Sequence, residues 1–518
     1  MVRRLLLTAA AGLAALGMLA APVPARASSG PVPGSPAYLA RDVANIDNAF
    51  GRDLGPGGEF TNPAYLTGLP PAIAQTWLAQ MSYQAANPAD PALTGGNLVP
   101  GWNAGNPDRA DWAGTRGREL AVHFTAGDGA ALSGHLFAPL AHARDPYTHL
   151  RIAFPLPGVV ITTGSIQASA GVYSWLAEDL AERGYLVLTF DVQGQGTSET
   201  FPHQGADPGL PGCGSKATAD QATSCAGVPS EQQVSFDQDT EDAITFLLSN
   251  PVHPYPKTPT AASVAAYNPW WQLFDHSPDR HTVTPGRTTR VALIGHSTGA
   301  VSTSYLQGAD PRIEAAVALD KITATPAAIS DDQAQLGSLP GPVVPKVPTL
   351  GMQSEYGFEP QPYWEASCSS FEPCPAAPGG SATPPDPSRA PNPGREEQTG
   401  FDTWVAHRVD SMLIVPRAST HLDYTDEPPI LPASAWGQAM ASYYTQAWLD
   451  EYLKHEPGAD QRLLATTLSY LQPVGGGRWK PVTINRNADL SFYFCSGYDF
   501  HIGSHRARNT DLIGDGCS

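Results

Sequence analysis

From residue 119 onward, short runs of branched apolar residues take turns with longer segments whose apolar positions recur at helical spacing. Residues 119–124 and 132–137 flank Gly127-Asp128-Gly129 and predict an antiparallel hairpin. Residues 158–165 read as a buried strand ending in a glycine turn. A helix over 173–183, a strand over 185–191 and an amphipathic helix over 237–248 follow. Then Arg290-Val291-Ala292-Leu293-Ile294 runs into Gly295-His296-Ser297-Thr298-Gly299, with Val301, Tyr305 and Leu306 next at helical spacing. That pattern is a strand, a sharp turn and a helix, with a serine at the apex. Further strands are expected at 315–320, 347–352 and 411–415, and a long helix at 435–454 with Met440, Tyr444, Trp448 and Tyr452 on one face. Strands alternating with helices predict an α/β fold: a mostly parallel twisted sheet with helices on both faces.

The flanks break this rhythm. Residues 28–117 are rich in Gly, Pro, Asn and Ala, with helix-like pieces at 37–50 and 71–86, and are expected to form an arm without visible chemistry. Within a core of 118–455, the Pro- and Gly-rich stretches 200–232, 251–288 and 357–400 read as loop or cap insertions. Trp270, Trp271 and Phe274 in the second are expected to pack the insertion, with a lipid-contacting cap as the alternative. Residues 456–518 read as a C-terminal extension.

Composition adds a compartment. Arg3 and Arg4, an apolar run to Ala21 and Ala25-Arg26-Ala27 have the order of a signal peptide over 1–27, and the paired arginines fit export of a folded protein. No other segment is long and apolar enough to span a bilayer, so a secreted, extracellular protein is expected. Loss of the leader's three arginines takes the net charge from −19 to −22, with 27 basic residues against 49 acidic. Such a chain repels phosphate backbones, which argues against nucleic-acid partners, and it disfavours anionic membranes. The six cysteines form three local pairs, Cys213/Cys225, Cys368/Cys374 and Cys495/Cys517, and neighbour disulfides are the simplest of the fifteen possible pairings. No C-x-x-C occurs and the histidines do not gather beside the cysteines, so no metal and no cofactor are expected.

Gly-x-Ser-x-Gly alone carries little weight in a chain with 50 glycines; its context carries more. Parallel sheets collect functional groups at the carboxyl ends of their strands, and this chain delivers Ser297, Asp320, Glu355 and His421 there. Serine needs a base to take its proton, and histidine serves near neutral pH. The histidine in turn needs a carboxylate on its other nitrogen. Asp320 and Glu355 are both candidates for that acid. The amides of Thr298 and Ser165 are candidate donors to an oxyanion. Asp423 and Asp426 are expected to decorate the His421 loop, and His501 and His505 to sit at the surface.

Three motifs give the chain a family likeness: Thr163-Gly164-Ser165, Phe190-Asp191-x-x-Gly194-x-Gly196-x-Ser198 and Gly295-His296-Ser297-Thr298-Gly299. Together with the element order over 118–455, the chain resembles the α/β-hydrolase superfamily. Within it, the chain is most similar to platelet-activating-factor acetylhydrolases and to cutinase-like lipases and polyester hydrolases. The acetylhydrolase pattern ends a strand in Ala-Leu-Asp, as Ala318-Leu319-Asp320 does, which favours Asp320 over Glu355. The resemblance implies a carboxylic ester hydrolase working through a Ser297–His421–Asp320 triad and an acyl-enzyme, on a small-molecule, lipid or polymeric ester, with a monomer plausible. Acyl transfer or peptide cleavage at the same serine, and a non-catalytic binding protein on the same scaffold, are the alternatives.

Overall fold

A computed structural model describes residues 30–86, 103–165, 169–200, 233–256, 265–320, 322–323, 343–357, 360, 396–426 and 434–514. The expected leader 1–27 lies outside them, as do Cys213, Cys225, Cys368, Cys374 and Cys517.

Helix α1 (Pro36–Leu54) starts where the Ser35 hydroxyl accepts the Tyr38 amide at 3.2 Å, with proline at the first helical position. Helix α2 (Pro63–Ala86) begins eight residues earlier than the expected 71, passing through Pro70 and Pro71. Those rings remove two N–H donors, which ordinarily ends a helix. The carbonyls they leave free belong to Leu66 and Thr67, both exposed residues, so water can serve them.

The hairpin β1 (Gly117–Thr125) and β2 (Ala131–Pro139) pairs as the alternation predicts. Next come β3 (Gly158–Thr162), α3 (Ser174–Glu182), β4 (Leu186–Phe190), α4 (Gln233–Leu248), β5 (Val291–His296), α5 (Thr298–Ala309) and β6 (Ile313–Leu319). After them stand β7 (Thr349–Met352), α6 (Glu396–His407), β8 (Ser411–Ile414), α7 (Ala435–Tyr452) and α8 (Ala459–Leu463). The chain continues through β9 (Thr467–Pro473), β10 (Trp479–Asn485), β11 (Gly497–Ile502) and β12 (His505–Asn509). One ten-stranded sheet runs β1-β2-β4-β3-β5-β6-β7-β8-β11-β12, parallel from β4 to β8 and antiparallel at both edges.

Strand periodicity explains why the central runs are apolar throughout. In β5, Ala292 and Ile294 face the layer of α3 and α7, while Val291 and Leu293 face the layer of α4 and α5. All four are fully buried. At about 1.5–3 kcal/mol for each large aliphatic side chain removed from water, such strands anchor the sheet and fix where their ends lie. The C-terminal extension is joined to this sheet: β11 pairs with β8, and β9 with β10 forms a separate hairpin. Cys495, the one cysteine among the described residues, stands just before β11.

Candidate active site

Ser297 occupies the turn between β5 and α5 with φ 54° and ψ −121°. A non-glycine residue held there carries strain of order 1 kcal/mol or more. The surroundings enforce it: Ser297 N donates to Leu319 O at 3.0 Å, and its carbonyl accepts Ala300 N and Val301 N. Neither flanking glycine could carry a side chain. A Cβ at 295 would lie 2.0 Å from Gly299 O, and one at 299 would lie 2.5 Å from Thr163 O.

The register then fixes the neighbours. His296 pairs with Leu319, and Leu319 with Met352, so Ser297, Asp320 and Gln353 follow the last paired residues of three adjacent strands. Asp320 also adopts positive φ, 55°. Its carboxylate meets His421 Nδ1 through Oδ2. Ser354 donates to it twice, N to Oδ1 and Oγ to Oδ2, each at 2.7 Å. Burial alone would raise this carboxyl, but the charge and hydrogen bond of His421 and the two Ser354 donors hold it well below the usual carboxylate range.

His421 opens a short 3₁₀ turn, His421–Tyr424, after β8. Its ring centroid lies 4.4 Å from that of His296, the residue before Ser297, and its carbonyl is 3.0 Å from His296 Nε2. The imidazole is thus brought beside the serine turn, with Nδ1 directed to Asp320. Asp423 and Asp426 do more than decorate this loop. Asp423 accepts Ser434 N at 2.7 Å and Thr420 N at 3.3 Å, and Asp426 accepts Gln438 Nε2 at 2.6 Å. Burial pushes the Asp423 carboxyl up to about 8 and that of Asp426 up to about 6.

Glu355 points elsewhere. Its Oε2 accepts Asn45 Nδ2 from α1 and Ala418 N from the His421 loop, both at 2.5 Å. Asn45 Nδ2 also reaches the Tyr356 hydroxyl at 2.8 Å, and Arg417 Nε donates to Asn45 Oδ1 at 2.9 Å. The N-terminal arm, expected to be without chemistry, is therefore clasped to the loop that carries His421. Ala418, at φ 58°, is a third strained residue on this rim.

Ser165 is half-buried, just past the end of β3, and Thr298 is the buried first residue of α5. The two segments are close: a Cβ on Gly164 would lie 3.1 Å from Ser297 Cβ. The Asp191 turn props the first of them. Asp191 accepts Ala170 N at 2.5 Å and Thr197 N at 2.9 Å, and Gln195 Nε2 donates to Thr163 Oγ1 at 3.1 Å. Gly196 lies so close that a Cβ there would be 2.1 Å from Asp191 Oδ2. Tyr173, His296 and Ser354 are partners to which the sequence alone assigns no role, and of the three only His296 lies within one of the motifs.

Other candidates fall away from this rim. Leu156 N donates to Leu273 O, Asp275 N donates to Leu156 O, and Phe274 packs on Gly158, so the Trp270–Phe274 segment sits where β3 begins, at the opposite end of the sheet. His501 Nδ1 is 2.9 Å from Asp410 Oδ1 at the far edge, half-exposed, and His505 is exposed. Among the described residues no group of three or more His, Cys, Asp or Glu could hold a metal ion, and no helix is long and apolar enough to cross a membrane. Chemically, the rim offers a hydroxyl on a strained turn, an imidazole oriented by an ionised carboxylate, and amides that begin a helix and end a strand. No protein-family model matches this chain, and no curated protein shows significant similarity to it.

Proposed function

We propose that this protein is a secreted carboxylic ester hydrolase of α/β-hydrolase architecture, with Ser297 as nucleophile, His421 as base and Asp320 as the acid. The observation that carries the reading is the contact of His421 Nδ1 with the Asp320 carboxylate, one strand over from a serine at φ 54°. A carboxylate on Nδ1 selects the tautomer whose Nε2 carries a lone pair that can take a proton. In this reading His421 Nε2 accepts the Ser297 proton as Oγ attacks the ester carbonyl. The carbonyl π pair moves onto oxygen, where the amides of Thr298 and Ser165 stabilise it. Collapse of the adduct expels the alcohol, which takes the proton from His421. A water deprotonated by His421 then attacks the acyl-enzyme, and collapse of that second adduct breaks the bond to Ser297 Oγ, which takes the proton back from His421 as the acid is released. The depressed Asp320 carboxyl supports this role, because the imidazolium formed midway is paired with a carboxylate that stays ionised.

The test is labelling of the mature protein by a fluorophosphonate together with turnover of aryl esters of increasing acyl length. The expected result is labelling and turnover in the wild type and neither in Ser297→Ala. A wild type that does neither removes the reading.

A further inference from the structure

A second imidazole lies inside the same rim, and the proposed steps do not use it. His296 is fully buried between Tyr173 and the His421 loop. Four groups stand in a line: Gly164 N is 2.8 Å from the Tyr173 hydroxyl, that hydroxyl is 2.8 Å from His296 Nδ1, and His296 Nε2 is 3.0 Å from His421 O.

The two ends of this line fix the direction of every hydrogen bond. Gly164 N–H can only donate, so the Tyr173 oxygen accepts there. His421 O can only accept, so His296 Nε2 carries a proton. Nδ1 of a neutral imidazole is then bare and accepts the Tyr173 O–H. Neutrality is also what the surroundings favour. Burial, then the charge of His421, holds the His296 imidazole well below its ordinary range, and the opposing effects of Asp320 and of the hydrogen bond to the His421 carbonyl are smaller. Among the described residues, the further titratable ring against His296, besides Tyr173, His421 and the Asp320 carboxylate, is that of Tyr424, 5.9 Å away between centroids.

The line joins two parts that the chemistry needs at fixed spacing. Gly164 immediately precedes Ser165, a proposed oxyanion donor, and His421 is the proposed base. A side chain at Gly164 would crowd this line: its Cβ would stand 3.1 Å from His296 Nδ1 and 3.2 Å from the Tyr173 hydroxyl, so both would have to give by a few tenths of an ångström. We infer, on the hydrolase reading above, that Tyr173 and His296 form a positioning bridge that sets the oxyanion-side turn at Gly164–Ser165 in register with the His421 loop. The bridge touches no substrate. It works by holding donor and base at one separation, where displacement of about 1 Å costs rate rather than ground-state binding.

Two measurements test it. In the wild type, ¹⁵N shifts of the His296 ring are expected to report bare Nδ1 and protonated Nε2, unchanged from pH 5 to 9. The opposite tautomer, or titration within that range, overturns the bridge. Tyr173→Phe is expected to lower kcat about 10- to 100-fold with KM within about threefold, and adding His296→Gln to it costs less than the product of the two single losses. An unchanged kcat in Tyr173→Phe, or a loss confined to KM, also overturns it. A wild type inactive on esters and unlabelled by fluorophosphonate defeats the hydrolase reading instead, and the ring shifts still decide the bridge.

Discussion

Strands β6 and β7 lie side by side, and just beyond each is a fully enclosed carboxylate, yet the two are driven in opposite directions. Asp320 is held well below its ordinary range, while burial raises Glu355 above its own. Burial works against the charged form in both, so burial does not distinguish them. The partners do. Asp320 faces an imidazole and two Ser354 donors, whereas Glu355 is met by Asn45, an Ala418 amide and Ser491, and the charge of Arg417, which is held on Asn45 rather than on Glu355, contributes less than those donors. An imidazole in direct contact, with the charge it takes up, reverses the cost of desolvation, whereas neutral donors and a cation held one residue away only reduce it. One acid is arranged to stay ionised beside a histidine; the other fastens the arm to the rim.

This contrast can be broken at either acid. Asp320→Asn is expected to lower kcat by about 10³- to 10⁴-fold with the fold intact, because the amide no longer selects the required tautomer. Steady-state kinetics on an aryl ester, alongside circular dichroism, measures it. Ser354→Ala removes one charge-assisted donor from Asp320 and is expected to lower kcat/KM about tenfold. Asn45→Ala leaves the enclosed Glu355 short of a donor and is expected to cost about 1–3 kcal/mol in urea unfolding, with kcat changed less than in either variant above. Glu355→Gln is expected to leave kcat within about threefold. A collapse of turnover in Glu355→Gln, with Asp320→Asn active, would move the acid to β7.

The two acids also predict opposite pH dependences of stability. A depressed carboxyl contributes stability that is fully present above its unfolded value, about 4, and is lost as pH falls through the lower folded value. Asp320 should behave in this way. For Glu355 the folded value is the higher one, so the folded form binds the extra proton and stability declines as pH rises from about 4 through that value. Melting of Glu355→Gln against wild type at pH 4 and pH 7 checks this. The difference in Tm should move in the variant's favour at the higher pH.

The central strands were legible because both faces of the sheet are covered, which forces unbroken apolar runs such as 291–294. The serine turn was legible because two glycines are required on sterically closed ground. Choosing between Asp320 and Glu355 was harder, since the residue sequence puts both within a few residues of the carboxyl end of a strand. What separates them is contributed by Ser354, by His421 and by Asn45, more than 300 residues earlier. Neither did the pattern foretell β11 and β12 extending the sheet, because the short edge strands mix polar and apolar residues without the runs that mark the centre. Helix α2 was read short for a local reason: a Pro-Pro pair is a stop signal unless the freed carbonyls face water.

The clasp at Asn45 has a consequence for biosynthesis. Asn45 and Glu355 are 310 residues apart, Arg52 and Asp489 437, and Asp42 and Tyr493 451. Helix α1 leaves the ribosome long before any of these anchors exists, so its docking is a late event closed over a very long loop. Until then the histidine-bearing loop lacks one of its walls, and the nascent chain has no finished rim to expose.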